Sequence, residues 1–350
     1  MQYNKGEWSE LYAFLTILYQ REVPAADKLL NPTDESYHFL EIIREDEPGK
    51  IRLYNLEKDN YVVILNDQHE EIKEIEAGEL PPKTRKILSE IQSHDKGTFA
   101  IPEANEAMNM LDLQKVKANS SEKSDIDAIV RDKIATRQRL GFSIKSRLGG
   151  ASTLLNASSH TEFQYKVCGI NNSLLIDKRF ESIKELIEYI YENGGYLEYQ
   201  RVTSPIFSSN LRMIDTVLPN ILASMLLIYY SGQARTIPEI CSRVAENNEY
   251  YLSEKDIDFK VKNLLRSIAL GMMPGKPWNA RLSTYGGYIV VKENGDLVCY
   301  HLYNDDDFKD YLYENTKFDT PSTSRHDFGY LYDQDSELYL KLNFQIRFKK

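Results

Sequence analysis

The sequence predicts an α/β fold, with additional helical and β-rich regions toward the C-terminus. Some segments carry apolar residues at helical spacing, others are short apolar or alternating runs bounded by turn residues, and the two kinds are interspersed. With 350 residues, of which 42% are hydrophobic and 27% charged, the chain is long enough to bury a substantial core.

The first third of the chain opens with a helix, continues with strands and returns to helices. Trp8, Leu11 and Leu15 lie at helical spacing, which is typical of an amphipathic helix. The apolar run 61–65 precedes the turn-forming Asn66 and is typical of a strand. The predicted elements are a helix over 7–20, strands within 51–75, helices over 81–92 and 103–113, and a polar loop at 119–123.

The remainder mixes both element types and ends in strands. Asn294 and Gly295 separate two apolar runs, which is a strong hairpin signal. We expect two domains, 1–206 and 207–350, with the boundary within 203–209. The predicted elements are strands at 125–130 and 140–146, helices over 183–191, 210–230 and 257–270, a hairpin of 288–291 with 297–300, and a final strand over 338–348.

The charge distribution leaves nucleic-acid binding open. The formal net charge of −10 opposes binding to a phosphate backbone, but the segment 131–147 is basic. Such a stretch forms either a cationic groove or a solvated loop, and charge alone does not decide between them. Its basic residues are Arg131, Lys133, Arg137, Arg139, Lys145 and Arg147, against the one acid Asp132.

Cysteine usage and hydropathy predict a soluble, cytoplasmic protein without a membrane segment. Cys168, Cys241 and Cys299 are odd in number and far apart, so they suggest no disulfide framework and no zinc knuckle. The first five residues lack the apolar core of a signal peptide. The longest apolar run, 217–230, is too short to span a bilayer and is expected to form a buried helix.

Several common catalytic motifs are absent from the sequence. There is no GxxxxGK[ST] phosphate-binding loop, no GxGxxG after a strand and no HExxH, and the six histidines are dispersed. These absences argue against nucleotide hydrolysis, nicotinamide chemistry and zinc proteolysis.

One group of residues is typical of a catalytic site, and it lies on the two strands predicted at 125–130 and 140–146. Residues two apart in a strand share a face, so Ser143 and Lys145 point the same way, and so do Asp125 and Asp127. If the strands pair, a carboxylate, a hydroxyl and an ammonium converge. An ordinary hairpin with a charged outer face would show the same pattern.

This grouping suits the hydrolysis of a phosphodiester with Mg²⁺. Magnesium prefers oxygen ligands, usually one or two carboxylates with water and substrate phosphate, and it activates its bound water. A neighbouring lysine stabilises developing charge. Because a hydroxyl at Ser143 is a weak ligand, a second acid is expected from the opening helix, either Glu10 or, as the less favoured candidate, Glu7.

Four blocks of the sequence resemble HpaII-family restriction enzymes, in order along nearly the whole chain. They are 6–10 (GEWSE), 141–146 (GFSIKS), 153–158 (TLLNAS) and 321–326 (PSTSRH). The resemblance implies a PD-(D/E)XK nuclease core, which is a mixed central sheet flanked by helices, together with Mg²⁺ dependence and the palindromic DNA target CCGG.

The resemblance also implies roles for individual residues. The first acid of the motif corresponds to Asp125 and its lysine to Lys145, while Ser143 stands where the second acid is usual. Either Asp125, which we favour, or Asp127 is then a metal ligand together with Glu10. Residues 1–206 would form the nuclease core, and residues 207–350 would serve DNA recognition or dimerisation.

A palindromic target is most simply read by a homodimer on double-stranded DNA. The candidates for DNA contacts are Arg147, Asn156, Ser158, Arg325 and His326, each of which also has an ordinary structural interpretation. A cognate DNA methyltransferase is expected in the same system, because it would protect the host. The alternatives are a non-cleaving DNA-binding or regulatory protein with a degenerate nuclease fold, or a structure-specific repair nuclease.

Overall fold

The computed structural model describes residues 2–95, 97–117, 124–131, 137–176, 178–246, 248–281, 286–301 and 305–349. The loop predicted at 119–123 and the basic Lys133 lie outside them. The helices are α1 (Lys5–Gln20), α2 (Leu80–Ser93), α3 (Pro102–Met110), α4 (Ser173–Ile176), α5 (Ile183–Glu192), α6 (Pro205–Ile214), α7 (Leu218–Tyr230), α8 (Ile237–Glu246), α9 (Glu254–Ala269), α10 (Asp305–Asn315) and α11 (Thr323–His326).

The strands complete the mixed α/β architecture that the sequence predicts. They are β1 (Tyr3–Asn4), β2 (Glu22–Ala26), β3 (Pro32–Glu47), β4 (Lys50–Asn55), β5 (Tyr61–Leu65), β6 (Glu71–Glu76), β7 (Thr98–Phe99), β8 (Ile126–Arg131), β9 (Arg137–Ser146), β10 (Thr153–Leu155), β11 (Glu162–Cys168), β12 (Tyr196–Val202), β13 (Gly287–Val291), β14 (Leu297–Tyr300), β15 (Thr316–Phe318), β16 (Leu331–Gln334), β17 (Glu337–Asn343) and β18 (Ile346–Phe348).

The chain forms two compact units that are interleaved in sequence. Unit 1 comprises Met1–Ser152 with Leu282–Tyr311, and unit 2 comprises Thr153–Arg281 with Leu312–Lys349. The boundary expected from the sequence, between 206 and 207, falls inside unit 2. Local composition indicates where a linker could lie, but it does not show that a chain returns to a unit it has left.

Unit 1 is built on a large mixed sheet with the strand order β2-β14-β13-β9-β8-β3-β4-β5-β6. Strand β9 pairs antiparallel with β8 and parallel with β13. A further pairing of β2 with β3 joins the first and the sixth strands of this order, so β2, β14, β13, β9, β8 and β3 form a closed circuit. The central sheet is therefore mixed, as predicted.

Helix α1 is buried along most of its length and packs into the core of unit 1. Its apolar residues, including Trp8, Leu11 and Leu15, are almost fully inaccessible to solvent. Burial of one such side chain stabilises the fold by about 1.5–3 kcal/mol. The helix starts two residues earlier than predicted because the Asn4 side chain accepts a hydrogen bond from the Glu7 backbone N–H at 3.0 Å and so caps it.

Strands β8 and β9 form the predicted pair. Ile126 lies opposite Phe142 and Asp127 lies opposite Gly141, while the Asp125 backbone N–H donates to the Phe142 carbonyl at 2.8 Å. Phe142 and Ile144 are buried, as their alternation with Ser143 and Lys145 predicts.

Unit 2 contains a sheet of order β12-β11-β17-β16 and a smaller sheet of order β10-β18-β15. The continuous helix expected over 210–230 is wrong: α6 and α7 meet at 107°. The break occurs because Asp215 ends α6 in extended backbone and its carboxylate accepts from the Val217 N–H at 3.0 Å. The strand expected over 338–348 is also divided, since the Phe344 N–H leaves the sheet to donate to the Thr161 carbonyl.

Among the residues that the structure describes, no single helix is long and apolar enough to cross a membrane. Helices α6 and α7 taken together are long and apolar enough to pass the same test, but they are bent by 107° at the break between them.

Candidate active site

The site forms where β8 begins beside the end of β9, and Asp125 is its centre. The residue lies just before β8, and its Oδ2 accepts a hydrogen bond from the Ser143 hydroxyl at 3.0 Å and from the Ile144 backbone N–H at 2.7 Å. Ser143 is itself buried. Two donors on β9 therefore fix the orientation of Oδ2, and the other oxygen of the Asp125 carboxylate, Oδ1, faces different groups.

Glu10 reaches the same place from α1. The neighbouring Ser9 hydroxyl donates to the Lys5 carbonyl at 2.6 Å and is hydrogen-bonded to the Ser146 hydroxyl at 2.8 Å. The Lys5 ammonium donates to the Leu148 carbonyl at 3.2 Å. These bonds attach the first turns of α1 to the end of β9, which places Glu10 near the residues of that strand.

Lys145 is the predicted ammonium, and it lies in the electrostatic field of both carboxylates. Its Nζ is 5.4 Å from the centre of the Tyr288 ring on the adjacent strand β13, a cation–π contact. Burial lowers the pKa of Lys145, while Asp125 and Glu10 oppose that effect. The predicted convergence of Asp125, Ser143 and Lys145 is therefore present in the structure.

Lys117 is a site residue that the sequence interpretation missed. Its Nζ lies 3.3 Å from Glu10 Oε1 and 3.5 Å from Asp125 Oδ1, so one ammonium contacts both carboxylates. Burial lowers the pKa of Lys117, but Glu10 and Asp125 outweigh that effect and hold it above its ordinary value. A lone lysine beside a polar loop gave no local signal of this contact.

The carboxylate pair is electrostatically strained without a metal. The pKa of Glu10 is raised to about 7, mainly by burial and also by the Asp125 carboxylate, while Lys117 opposes the rise. Burial of a charged group and a like charge nearby both favour its neutral form. A cation that bound here would relieve both effects.

The competing candidates Asp127 and Glu7 are engaged elsewhere. The Asp127 carboxylate accepts from the Ser124 hydroxyl at 3.0 Å and from Arg139 at 3.1 Å. Its hydrogen-bonding partners thus differ from those of Asp125. The Glu7 carboxylate accepts from the Asn4 backbone N–H at 2.9 Å and completes the capping box of α1.

An open cavity of about 400 Å³ adjoins Glu10 and lies within unit 1. Its lining includes Asn4, Gly6, Glu10, Lys145 and Gly150. The cavity gives a substrate access to Glu10 and Lys145 from solvent.

The residues predicted to contact DNA occupy different surroundings. Arg147 lies in unit 1, where its backbone N–H donates to the Val291 carbonyl at 2.9 Å and its charge acts on Tyr311. Asn156 is exposed after β10 in unit 2, and Ser158 caps the short 3₁₀ turn Ser159–Thr161.

Arg325 and His326 lie on the four-residue helix α11 of unit 2. Arg325 is exposed and His326 is half-buried. Their roles in DNA contact, like those of Arg147, Asn156 and Ser158, stay predictions.

Basic residues of the segment 131–147 are partly neutralised. Arg137 pairs with Glu57, and Arg139 pairs with Asp127. Because these pairs are exposed, they are weak and could exchange for phosphate contacts.

The donor set fits a hard divalent cation that keeps water ligands. Two carboxylates converge, and both already attract one cationic group, Lys117. Among the described residues, no group of three or more His, Cys, Asp or Glu side chains is arranged to hold a metal ion. Magnesium is commonly held by one or two carboxylates with water and substrate phosphate, so two are sufficient.

Comparison with known proteins identifies the family. The model of the family described as HpaII restriction endonuclease matches residues 4–348. The chain is 40% identical, over 357 aligned residues, to the type II restriction enzyme HpaII of Haemophilus parainfluenzae, and the alignment covers 99% of this chain and 98% of that protein. No solved structure matches the chain. The chain therefore belongs to the HpaII restriction endonuclease family, whose activity is that of a type II site-specific deoxyribonuclease.

Proposed function

We propose that this restriction endonuclease cleaves both strands of DNA at CCGG in a Mg²⁺-dependent reaction, using Glu10, Asp125 and Lys145. The observation that carries this proposal is the convergence of two carboxylates from α1 and the start of β8 with an ammonium from β9. The target CCGG rests on the resemblance to HpaII-family enzymes.

A PD-(D/E)XK core is also proposed. Its support is a mixed sheet in which β9 pairs antiparallel with β8 and parallel with β13, with α1 packed beside it. The usual second acid is replaced by Ser143 on β9, and Glu10 on α1 supplies a carboxylate instead. This compensation favours an active enzyme over a degenerate, non-cleaving relative.

Each site residue has a defined role in the proposed mechanism. Glu10 and Asp125 would hold Mg²⁺, which supplies an activated water and shields the charge of the phosphate. The Ser143 hydroxyl and the Ile144 N–H keep the Asp125 carboxylate in one orientation. Lys145 lies near both carboxylates, where its ammonium would stabilise the charge that develops on the phosphate.

Recognition of a palindrome is proposed to involve a homodimer, with each subunit cutting one strand. Arg147, Asn156, Ser158, Arg325 and His326 are the candidates for contacts to bases or phosphates. Arg325 is the strongest of these because an exposed guanidinium matches the two major-groove acceptors of guanine. A methyltransferase of the same specificity would protect the host DNA.

Digestion of unmethylated phage DNA with the purified protein, followed by sequencing of the fragment ends, tests the proposal. We expect discrete fragments ending within CCGG in the presence of Mg²⁺ and no cutting after removal of divalent metal with EDTA. Uncut DNA at all Mg²⁺ concentrations would contradict cleavage. Cuts confined to junctions or flaps would instead identify a structure-specific nuclease.

A further inference from the structure

The position of Lys117 between the two carboxylates has a consequence for how a metal enters the site. We infer that Lys117 is a tethered counter-cation, whose ammonium occupies in the metal-free protein the position that a divalent cation takes, so that the cation binds by displacing it. This inference rests on the proposed function, because it treats Glu10 and Asp125 as the metal ligands.

The distances favour exchange of the ammonium for a smaller, more highly charged ion. The Lys117 Nζ is 3.3 Å from Glu10 Oε1 and 3.5 Å from Asp125 Oδ1. Charge-assisted N–H···O bonds are usually about 2.7–2.9 Å long, so the ammonium bridges the gap without a tight bond to either acid. Magnesium binds oxygen at about 2.0–2.1 Å and carries twice the charge, so it would draw both carboxylates inward.

The fold holds the backbone before Lys117 in place by a buried ion pair. Arg44 and Asp46 on β3 are only 6% and 7% exposed, and their side chains lie 2.7 Å apart. Arg44 donates to the last two carbonyl groups of the segment 114–116, and Asp46 accepts from its first N–H at 2.7 Å. Lys117 follows this anchored segment directly, so its position at the acids is determined by the fold.

The side chain of Lys117 remains free to leave. It is 50% exposed, so its ammonium can move from the carboxylates into water without losing its hydration. Lys145 is more buried and remains at the site. Departure of Lys117 therefore removes one positive charge when a divalent cation adds two.

Displacement of Lys117 costs every incoming cation the same ammonium–carboxylate contacts. A monovalent cation brings no more charge than the ammonium it would replace, so it gains little by competing with a tethered group. A divalent cation gains from its second charge at each carboxylate, and this gain can outweigh the cost of displacement. Lys117 would thus weaken the binding of every cation, and a divalent ion would still displace it.

Calorimetric titration of the full-length, DNA-free protein with MgCl₂ tests the inference. We expect Lys117→Met and Lys117→Gln to bind Mg²⁺ about tenfold more tightly than the unsubstituted protein, because a competing charge is gone. Lys115→Met is the matched control, since it removes the same charge from an exposed side chain two residues away. Its Mg²⁺ affinity should stay within about twofold of the unsubstituted value.

A second readout concerns the metal-free state. Both Lys117 variants should unfold at a lower temperature than Lys115→Met without Mg²⁺, because Glu10 and Asp125 then repel each other without a counter-cation. Circular dichroism establishes that each variant is folded before it is titrated.

Two failures can be distinguished. In the first, both Lys117 variants bind Mg²⁺ as well as or more weakly than the unsubstituted protein, and Asp125→Asn loses binding. This result would overturn the role of Lys117 as a counter-cation and leave the proposed metal site intact. If no variant binds Mg²⁺, or if Asp125→Asn binds it as well as the unsubstituted protein, the metal site itself is wrong and the inference fails with it.

Discussion

At the residue scale, the proposed site consists of two acids in an unfavourable electrostatic state, which a bound cation would relieve. Glu10 lies in a partly buried position beside Asp125, and Lys117 compensates for only a fraction of the repulsion. Neither acid could be moved away without breaking the hydrogen bonds that fix Asp125 or the attachment of α1 at Ser9. We therefore expect protons and metal ions to compete for this pair.

The substitution Glu10→Gln should stabilise the metal-free protein at alkaline pH. The pKa of Glu10 is raised from its ordinary 4.5 to about 7, so folding favours the neutral acid. This contribution is complete below pH 4.5 and is lost as the pH rises through about 7. At pH 8 the variant should therefore gain about 1–3 kcal/mol in the free energy of unfolding.

Urea denaturation with EDTA present, at pH 8 and at pH 4.5, measures this effect. The gain should shrink at the lower pH, where Glu10 is neutral in the folded protein and already half protonated in the unfolded chain. Glu293→Gln, in an exposed turn, is the control and should show no such pH dependence. A Glu10→Gln variant that is less stable than the unsubstituted protein at pH 8 would contradict the claim that an ionised Glu10 destabilises the folded protein.

The sequence predicted some residues of this site and missed one for a physical reason. Asp125, Ser143 and Lys145 lie on a local pair of strands, where the alternation of side chains determines which of them share a face. Glu10 was suggested by the weakness of a hydroxyl ligand and by family resemblance. Lys117 is 107 residues from its partner Glu10, and no local pattern encodes such a contact.

At the element scale, amphipathic segments were predicted well and charged buried segments were not. The opening helix, the strands within 51–75 and the hairpin of β13 and β14 all follow from simple periodicity. The long strand β3 was missed. Its alternation is hidden because Glu41, Arg44 and Asp46 are buried and charged, which a pattern of apolar inward residues does not anticipate.

The substitution Asp46→Ala should destabilise unit 1 strongly. It would leave the Arg44 guanidinium buried without its carboxylate, and removal of one partner from a buried ion pair costs about 3–5 kcal/mol. It would also leave the Gln114 N–H without its acceptor. Chemical denaturation measures the loss of unfolding free energy.

The neighbouring Glu47→Ala provides the control for this prediction. Glu47 forms an exposed ion pair with Lys50, so its loss should leave the denaturation midpoint essentially unchanged. Equal effects of the two substitutions would show that the buried pair does not hold segment 114–116.

At the scale of the whole molecule, two units are formed by a chain that passes between them more than once. The site residues Glu10, Lys117, Asp125 and Lys145 all belong to unit 1. The candidates Asn156, Ser158, Arg325 and His326 belong to unit 2. A sequence boundary at one position could not describe this interleaving, and the candidate Arg147 lies in unit 1 with the site residues.

The proposed homodimer makes a stoichiometric prediction. Two chains should bind one CCGG duplex, because a two-fold symmetric target presents two equivalent half-sites and strands. Light scattering after size-exclusion chromatography, with Ca²⁺ or EDTA in place of Mg²⁺, measures the mass of the complex. A duplex with a scrambled site is the control, and a saturated complex of one chain per CCGG duplex would contradict the dimer.

The most direct test of the central claim is plasmid cleavage by Asp125→Asn compared with Asp127→Asn in the presence of Mg²⁺. The two substitutions remove the same charge two residues apart, but Asp125 lies beside Lys117 and Ser143, whereas Asp127 pairs with Arg139. We predict that Asp125→Asn lowers the cleavage rate by roughly 10³-fold or more while DNA binding persists, and that Asp127→Asn stays within about tenfold of the unsubstituted enzyme. Rapid cleavage by Asp125→Asn together with an inactive Asp127→Asn would contradict the account.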